Sequence, residues 1–199
     1  MQNQIQKTLK LLNLVERLKF ELRHSWTSNG RQESVAEHSW RLSLMVILMS
    51  QHLKEKVDLE KCIKMAVIHD IVEAEAGDIP VFDITESLKE QKELRERQAI
   101  DNIKSMLDNE LGHEIHDLWH EFEKQESYEA KFVHALDKLE CKLQHIEADI
   151  GTWNEKELAM SFDWDCDFYH FDPAISLLHD MLKEETVNKI LAHNPLAAV

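Results

Sequence analysis

The chain is poor in the residues that break helices, with four glycines and three prolines in 199 positions. Ordinary usage is about 7% and about 5%. Such scarcity argues against a β-rich fold, whose many turns draw on Gly and Pro, and favours long, uninterrupted helices. Cysteine is scarce as well. Cys62, Cys141 and Cys166 show no CxxC spacing, which excludes a dense disulfide framework. Cys62 and Cys141 fall at helical, core-like positions and read as small buried hydrophobes, whereas Cys166, in DWDCDF, stays ambiguous. Apolar runs long enough to span a bilayer are missing. The opening MQNQIQKTLKLLNLVERL is too polar and amphipathic for a signal peptide, so a cytoplasmic protein is expected. Positive charge is in deficit, 23 Lys and Arg against 38 Asp and Glu, a net −15 with His neutral. A surface this acidic repels nucleic-acid polymers and anionic lipid. A phosphate-bearing small molecule would need local positive charge, which a metal and one or two arginines can supply.

What the chain does have is apolar periodicity. It is 43% hydrophobic, enough for a sizeable core in one domain, 1–199. Ile5, Leu9, Leu12, Val15, Leu18 and Leu22 recur every three or four residues and predict an amphipathic helix over about 4–22. RHSWTSNGRQES breaks that pattern and reads as a loop. Ser34 and Glu37 have capping-box spacing ahead of a helix over about 35–53, apolar on most sides and so expected at the centre of the core. Asp58 is the next expected N-cap, for a helix over about 59–76. Gly77 ends it, with a turn at Asp78-Ile79-Pro80. Further helices are expected near 86–109, 113–124, 128–150 (capped by Ser127) and 173–192. The fold class is all-α, about six to eight helices. The aromatic and acidic stretch before the last helix resists assignment; Phe162-Asp163-Trp164-Asp165 could cover a site or an interface.

The most informative feature is the pair His69-Asp70 within AVIHDIVEAEAGDIP. Neighbouring helical side chains diverge by about 100°, but the two converge if an ion sits between them. An Asp beside Ile68 and Ile71 is costly to bury without a cation or several donors. His69 and Glu73 are related by i and i+4, and Asp70 and Glu73 by i and i+3, so one turn presents three polar groups. His38 opens the most apolar helix, and Asp137 sits at the edge of another helix's apolar stripe. Two imidazoles and two carboxylates suit a borderline or hard divalent ion, with positions left for water and substrate.

The order His38, His69-Asp70, Asp137 resembles the HD-domain superfamily of metal-dependent phosphohydrolases. ESVAEHSWR, HDIVEAEAGDIP and AKFVHALDKLE are similar to the 5′-deoxynucleotidase branch over about residues 10–150, leaving 151–199 as a helical, aromatic appendage. The resemblance implies that His38, His69, Asp70 and Asp137 bind a divalent metal ion (Mn²⁺, Co²⁺, Fe²⁺ or Zn²⁺, with Mg²⁺ possible). It implies that Glu73 orients or deprotonates the attacking water, that Asp78 lies near the leaving oxygen or the sugar, and that Arg23 grips the phosphate. The implied activity is hydrolysis of (deoxy)ribonucleoside 5′-monophosphates to nucleoside and phosphate, with a homodimer as the assembly. One departure is visible: some bacterial members carry Trp directly after the arginine, whereas His24 follows here and Trp26 comes later.

Alternatives stay open at this stage. Another nucleotide (cyclic, a triphosphate or (p)ppGpp) would suit the same superfamily, and a noncatalytic metal-binding scaffold or sensor would need neither Glu73 nor Arg23. Arg31 is a weaker phosphate candidate, and Glu37 reads as a cap partner. His113, His116 and His120, three and four apart, would permit a surface metal site but read first as solvent-exposed side chains. His134 and His145 read as core-edge packing.

Overall fold

The computed structural model describes residues 1–78, 86–160 and 167–193. The chain runs α1 (Gln2–Val15), a 3₁₀ turn (Glu16–Lys19), β1 (Leu22–Trp26), β2 (Gln32–Ser34), α2 (Val35–Met49) and a 3₁₀ turn (Ser50–His52). It continues through α3 (Leu59–Ile68), α4 (Glu73–Ala76), α5 (Glu86–Leu107), α6 (Glu110–Lys124) and α7 (Tyr128–Glu147). A 3₁₀ turn (Ile150–Thr152), α8 (Glu155–Met160), another 3₁₀ turn (Asp167–Tyr169) and α9 (Pro173–His193) complete the described residues. These are eight helices of six residues or more plus the single turn α4, the all-α class expected from the sparse Gly and Pro. Cys166, the 162–165 aromatic-acidic run and the Ile79-Pro80 turn lie outside the described residues.

Local chemistry sets most boundaries. Ser34 accepts from the Glu37 N–H while the Glu37 carboxylate accepts from the Ser34 N–H, a complete capping box. Asp58 caps α3 through the Lys61 N–H and Ser127 caps α7 through the Ala130 N–H, each satisfying an otherwise orphaned donor. Asn109 caps α6 in the same way, so that helix begins at Glu110, earlier than its apolar pattern. Gly77 terminates α4 at φ +77°, the left-handed region that favours glycine.

Several expectations need correction. The first helix stops at Val15, because the segment beyond Phe20 makes a two-stranded antiparallel hairpin, with Leu22 opposite Ser34 and Trp26 opposite Gln32. The expected loop is therefore an ordered hairpin, turned at Thr27–Gly30 by hydrogen bonds from the Gly30 N–H to the Thr27 carbonyl and from the Thr27 N–H to the Arg31 carbonyl. The helix over 59–76 is not uniform. After His69 the backbone tightens, with i→i−3 bonds from the Ile71, Glu73, Ala74 and Glu75 N–H groups, and a 3₁₀ turn stacks side chains at i and i+3. That stacking aligns Asp70 with Glu73. A further correction concerns α2, which is central on one face only. Val35, His38, Leu42 and Val46 are buried, yet Trp40, Leu44, Ile47 and Leu48 are exposed. The α1 stripe is also turned outward, with Ile5, Leu9 and Leu12 exposed while Leu11 is buried. Finally, α7 ends at Glu147 rather than 150, because Ala148 turns to extended backbone.

Two apolar clusters form the interior. In one, Leu42 and Val46 of α2 meet Met65 and Ala66 of α3, Phe132, Leu136 and Leu139 of α7, and Ile175 and Leu182 of α9. In the other, Ile68, Ile71 and Val72 pack with Ile100, Ile103 and Leu107 of α5, Trp119 of α6 and Leu11 of α1. Each fully buried Leu, Ile or Phe contributes about 1.5–3 kcal/mol of burial free energy. His69 and Asp70 fall at the seam, with Met65 and Ala66 committed to one cluster and Ile71 and Val72 to the other. Among the described residues no helix is long and apolar enough to cross a membrane.

Candidate active site

The seam between the clusters is polar. His38, on the first turn of α2, is completely buried; His69, closing α3, is nearly so. Their Nε2 atoms lie 3.2 Å apart. Asp137 of α7 places Oδ1 3.0 Å from His38 Nε2 and 3.8 Å from His69 Nε2. Asp70 places Oδ2 3.1 Å from His69 Nε2 and 3.7 Å from His38 Nε2. The four residues named from the sequence thus converge from three separate elements. Both imidazoles have their other nitrogen occupied: His69 Nδ1 is 3.0 Å from the Ala66 carbonyl, and His38 Nδ1 meets the Glu140 carboxylate. Acceptors at Nδ1 fix that nitrogen as the protonated one and turn the Nε2 lone pairs inward, the arrangement typical of metal-ligating histidines. Trp119 Nε1 donates to the His69 carbonyl at 3.0 Å, tying the turn to α6.

Electrostatics supports a cation at this point. Burial and Arg23 would lower the His38 pKa, but Glu140 and Asp137 outweigh them and raise it to about 9. Burial would raise Asp137, yet Lys138 and the two histidines hold it well below the ordinary carboxylate range. Asp70 is likewise lowered, with His69, His38 and Arg23 overcoming burial. The ring of acids around His38 draws positive charge into the pocket, and the donor set of two imidazoles and two carboxylates fits a divalent ion.

Glu73 is almost completely buried, and its Oε2 has no hydrogen-bond partner. Burial lifts its pKa well above the usual value; Asp70 and Asp78 add to this, and Arg23 and Lys92 offset it in part. Asp78 follows Gly77, its N–H donating to Glu21 Oε1 at 3.2 Å. Its carboxyl is raised by burial and by Asp70, against Arg23 and Lys92. Arg23, on β1 rather than at a helix end, reaches Asp70 Oδ2 at 3.4 Å, Cys141 Sγ at 2.9 Å and Glu33 Oε2 at 3.5 Å. All seven candidate residues therefore occupy one neighbourhood. Cys141 is a hydrogen-bond partner of Arg23 and only partly a core hydrophobe.

Arg31 turns away, pairing with Glu37 in the open, which leaves it outside the site. His24 approaches Glu157 at 3.2 Å, so it ties β1 to α8. His134 packs between Phe122 and Phe168, and His145 bonds the Cys141 carbonyl and Glu157. Sequence reasoning missed Glu140 and Arg41, which extend the site behind His38: Arg41 Nε donates to Glu140 Oε1 at 2.6 Å. The signal was present in DKLE, where Asp137 and Glu140 repeat the i, i+3 acid spacing of Asp70 and Glu73. It also missed Lys138, whose Nζ is 2.8 Å from Asp137 Oδ2, and Lys92 of α5. Burial would lower the Lys92 pKa, but Glu96, Glu73 and Asp70 hold it raised.

The HD-domain family profile matches residues 15–171, more than half of the chain, and the protein belongs to the HD-domain family. Human 5′-deoxynucleotidase HDDC2 is 31% identical over 182 residues, 90% of this chain and 87% of its own length. The zebrafish (Danio rerio) 5′-deoxynucleotidase HDDC2 is 34% identical over 186 residues, 92% and 90%. A crystal structure of a predicted metal-dependent phosphohydrolase from Magnetospirillum magnetotacticum superposes with a TM-score of 0.78 at 27% identity, covering 94% of this chain and 97% of that one.

Proposed function

We propose that this enzyme is a 5′-deoxynucleotidase, releasing phosphate from deoxyribonucleoside 5′-monophosphates. The observation that carries the reading is the convergence of His38, His69, Asp70 and Asp137 beside a buried Glu73 carboxylate with an unpaired oxygen. The four converging residues are the ligands of a divalent ion; Mn²⁺, Co²⁺, Fe²⁺ and Zn²⁺ all suit them, and Mg²⁺ is also possible. When bound, such an ion acidifies water to near neutrality and neutralises phosphate charge. Glu73 takes the proton of the attacking water as the new P–O bond forms. The bond from phosphorus to the nucleoside 5′-oxygen breaks, and that oxygen takes a proton from Asp78, whose carboxyl is raised by burial and by Asp70. Arg23 holds the phosphoryl oxygens with a planar fork that suits paired acceptors.

The test is phosphate release from a panel of ribo- and deoxyribonucleoside 5′-monophosphates, with each divalent ion added to metal-free protein. Selective, metal-dependent release from the deoxy set supports the reading. Silence across the panel with metal bound redirects it to another nucleotide, or to a noncatalytic metal-binding scaffold. Arg23→Ala should raise KM for monophosphates about 10–100-fold, the loss of one charge-assisted contact of about 1.5–3 kcal/mol; an unchanged KM removes Arg23 from the phosphate site.

We read the chain as one domain, 1–199, acting in the cytoplasm as a homodimer. Support for pairing comes from the apolar face of α2, where Trp40 is 68% exposed and Leu48 53%; contiguous apolar surface of this kind marks interfaces. Trp40→Glu combined with Leu44→Glu should convert a dimer to a monomer in light scattering. A monomeric wild type would refute the pairing.

A further inference from the structure

We propose that His116 and His120 of α6, together with Asp101 of α5, form a second divalent transition-metal site, remote in sequence from the HD ligands. The two Nε2 atoms are 3.2 Å apart, the same separation as between His38 and His69 in the active site. Two imidazoles bound to one tetrahedral zinc at about 2.0–2.1 Å have their nitrogens about 3.3 Å apart. Asp101 places a carboxylate oxygen 3.3 Å from His116 Nε2, from a side chain that is 70% exposed; closing on an ion would turn that carboxylate toward His120 as well.

The tautomer is arranged as well. His116 Nδ1 lies 3.0 Å from Asp117 Oδ1, so its N–H is committed to that carboxylate and the Nε2 lone pair is left for an ion. This is the carboxylate–histidine arrangement that orients metal ligands, and it parallels Glu140 behind His38. The His116 side chain is only 16% exposed, which limits the rotamer freedom an ion would have to freeze out.

Helix packing brings Asp101 of α5 against His116 of α6. Gly112 lets α6 close on α5, since a Cβ there would sit 2.9 Å from the Lys104 carbonyl. An ion held by Asp101, His116 and His120 would link the two helices one turn beyond that contact. Two imidazoles and one carboxylate favour Zn²⁺, Co²⁺, Ni²⁺ or Cu²⁺ over Mg²⁺ or Ca²⁺. The site is a helix clamp rather than a reaction centre, for none of the residues proposed to handle phosphate belongs to it.

Zinc bound per chain tests the assignment. Full-length protein stripped by chelator, titrated with Zn²⁺ and dialysed, should retain one more ion per chain than His120→Ala or His116→Asn treated identically. Phosphate release supported by the HD metal should be unchanged in both. Asp101→Asn, at a position that is 70% exposed, should weaken the extra zinc at least about tenfold, a loss of about 1.4 kcal/mol for the missing anionic donor, without abolishing it. Equal zinc content in wild type and both histidine variants would overturn the proposal and leave the imidazoles as a plain hydrogen-bonded pair. So would an Asp101→Asn protein with wild-type zinc affinity.

Discussion

Glu73→Gln is expected to lower kcat by about 10²–10⁴-fold, the usual worth of a positioned general base, while metal occupancy stays near the wild-type level. The substitution preserves shape and removes only the ability to accept a proton. Glu73 is suited to that task because burial, Asp70 and Asp78 all lift its pKa, which makes it a stronger base than a solvated carboxylate. Its Oε2 is buried without a partner, an arrangement that costs folding free energy and persists where a substrate or water completes the pair. A second effect follows from the same geometry: the amide no longer repels Asp70 and Asp78, so the variant should melt no lower than wild type, an instance of stability traded against activity. Parallel measurement of kcat, metal content and Tm separates the outcomes. Loss of the metal together with activity would make Glu73 a structural support of the ligands instead of the base.

Much of this site was legible because metal chemistry restricts residue type and helical geometry restricts spacing. His69-Asp70 and Glu73 lie within one turn, so their proximity could be read locally. Gly77 marked the end of that turn because a left-handed backbone position favours Gly. Arg23 was harder to place. Its periodic neighbours Leu18 and Leu22 suggested a continuing helix, and only the pairing of Leu22 with Ser34, a contact between segments, turns the chain into a strand. Glu140, Arg41 and Lys92 were missed because their roles depend on which helix faces which, and charged residues on amphipathic helices read first as solvated. The reach of the apolar pattern was similarly limited: it registered α2 as apolar on most sides without separating the face against α3 and α7 from the face that is open. His116 and His120 show the reverse case. Their spacing and the neighbouring acceptor Asp117 lie within one helix, but the approach of Asp101 from α5 exists only once the helices pack.

Asp137→Asn should abolish measurable turnover, by on the order of 10³-fold or more, if the metal contributes several kcal/mol of transition-state stabilisation at tenfold per 1.4 kcal/mol. Asp137 brings α7 into the site, its Oδ1 at 3.0 Å from His38 Nε2 and its Oδ2 on Lys138. An amide in its place keeps the size and loses the anionic ligand. Chelator should reproduce the effect in wild type and, if the ion is normally present at about 100 times its Kd, lower Tm by about 5–10 °C, from about 2.7 kcal/mol of linkage spread over a chain of this length. In Asp137→Asn the chelator-dependent part of Tm arising from this site should disappear. A pH dependence accompanies it. His38 carries a raised pKa of about 9 in the metal-free pocket, and an ion must displace that proton to reach the Nε2 lone pair. Metal affinity should therefore climb as pH rises toward 9 and fall as the pocket is acidified, which calorimetry at several pH values would measure together with the proton released. An affinity independent of pH from 6 to 9 would mean that His38 is already neutral before the ion arrives, and that the carboxylates around it are balanced by Arg23, Arg41 and Lys138 instead of by a proton.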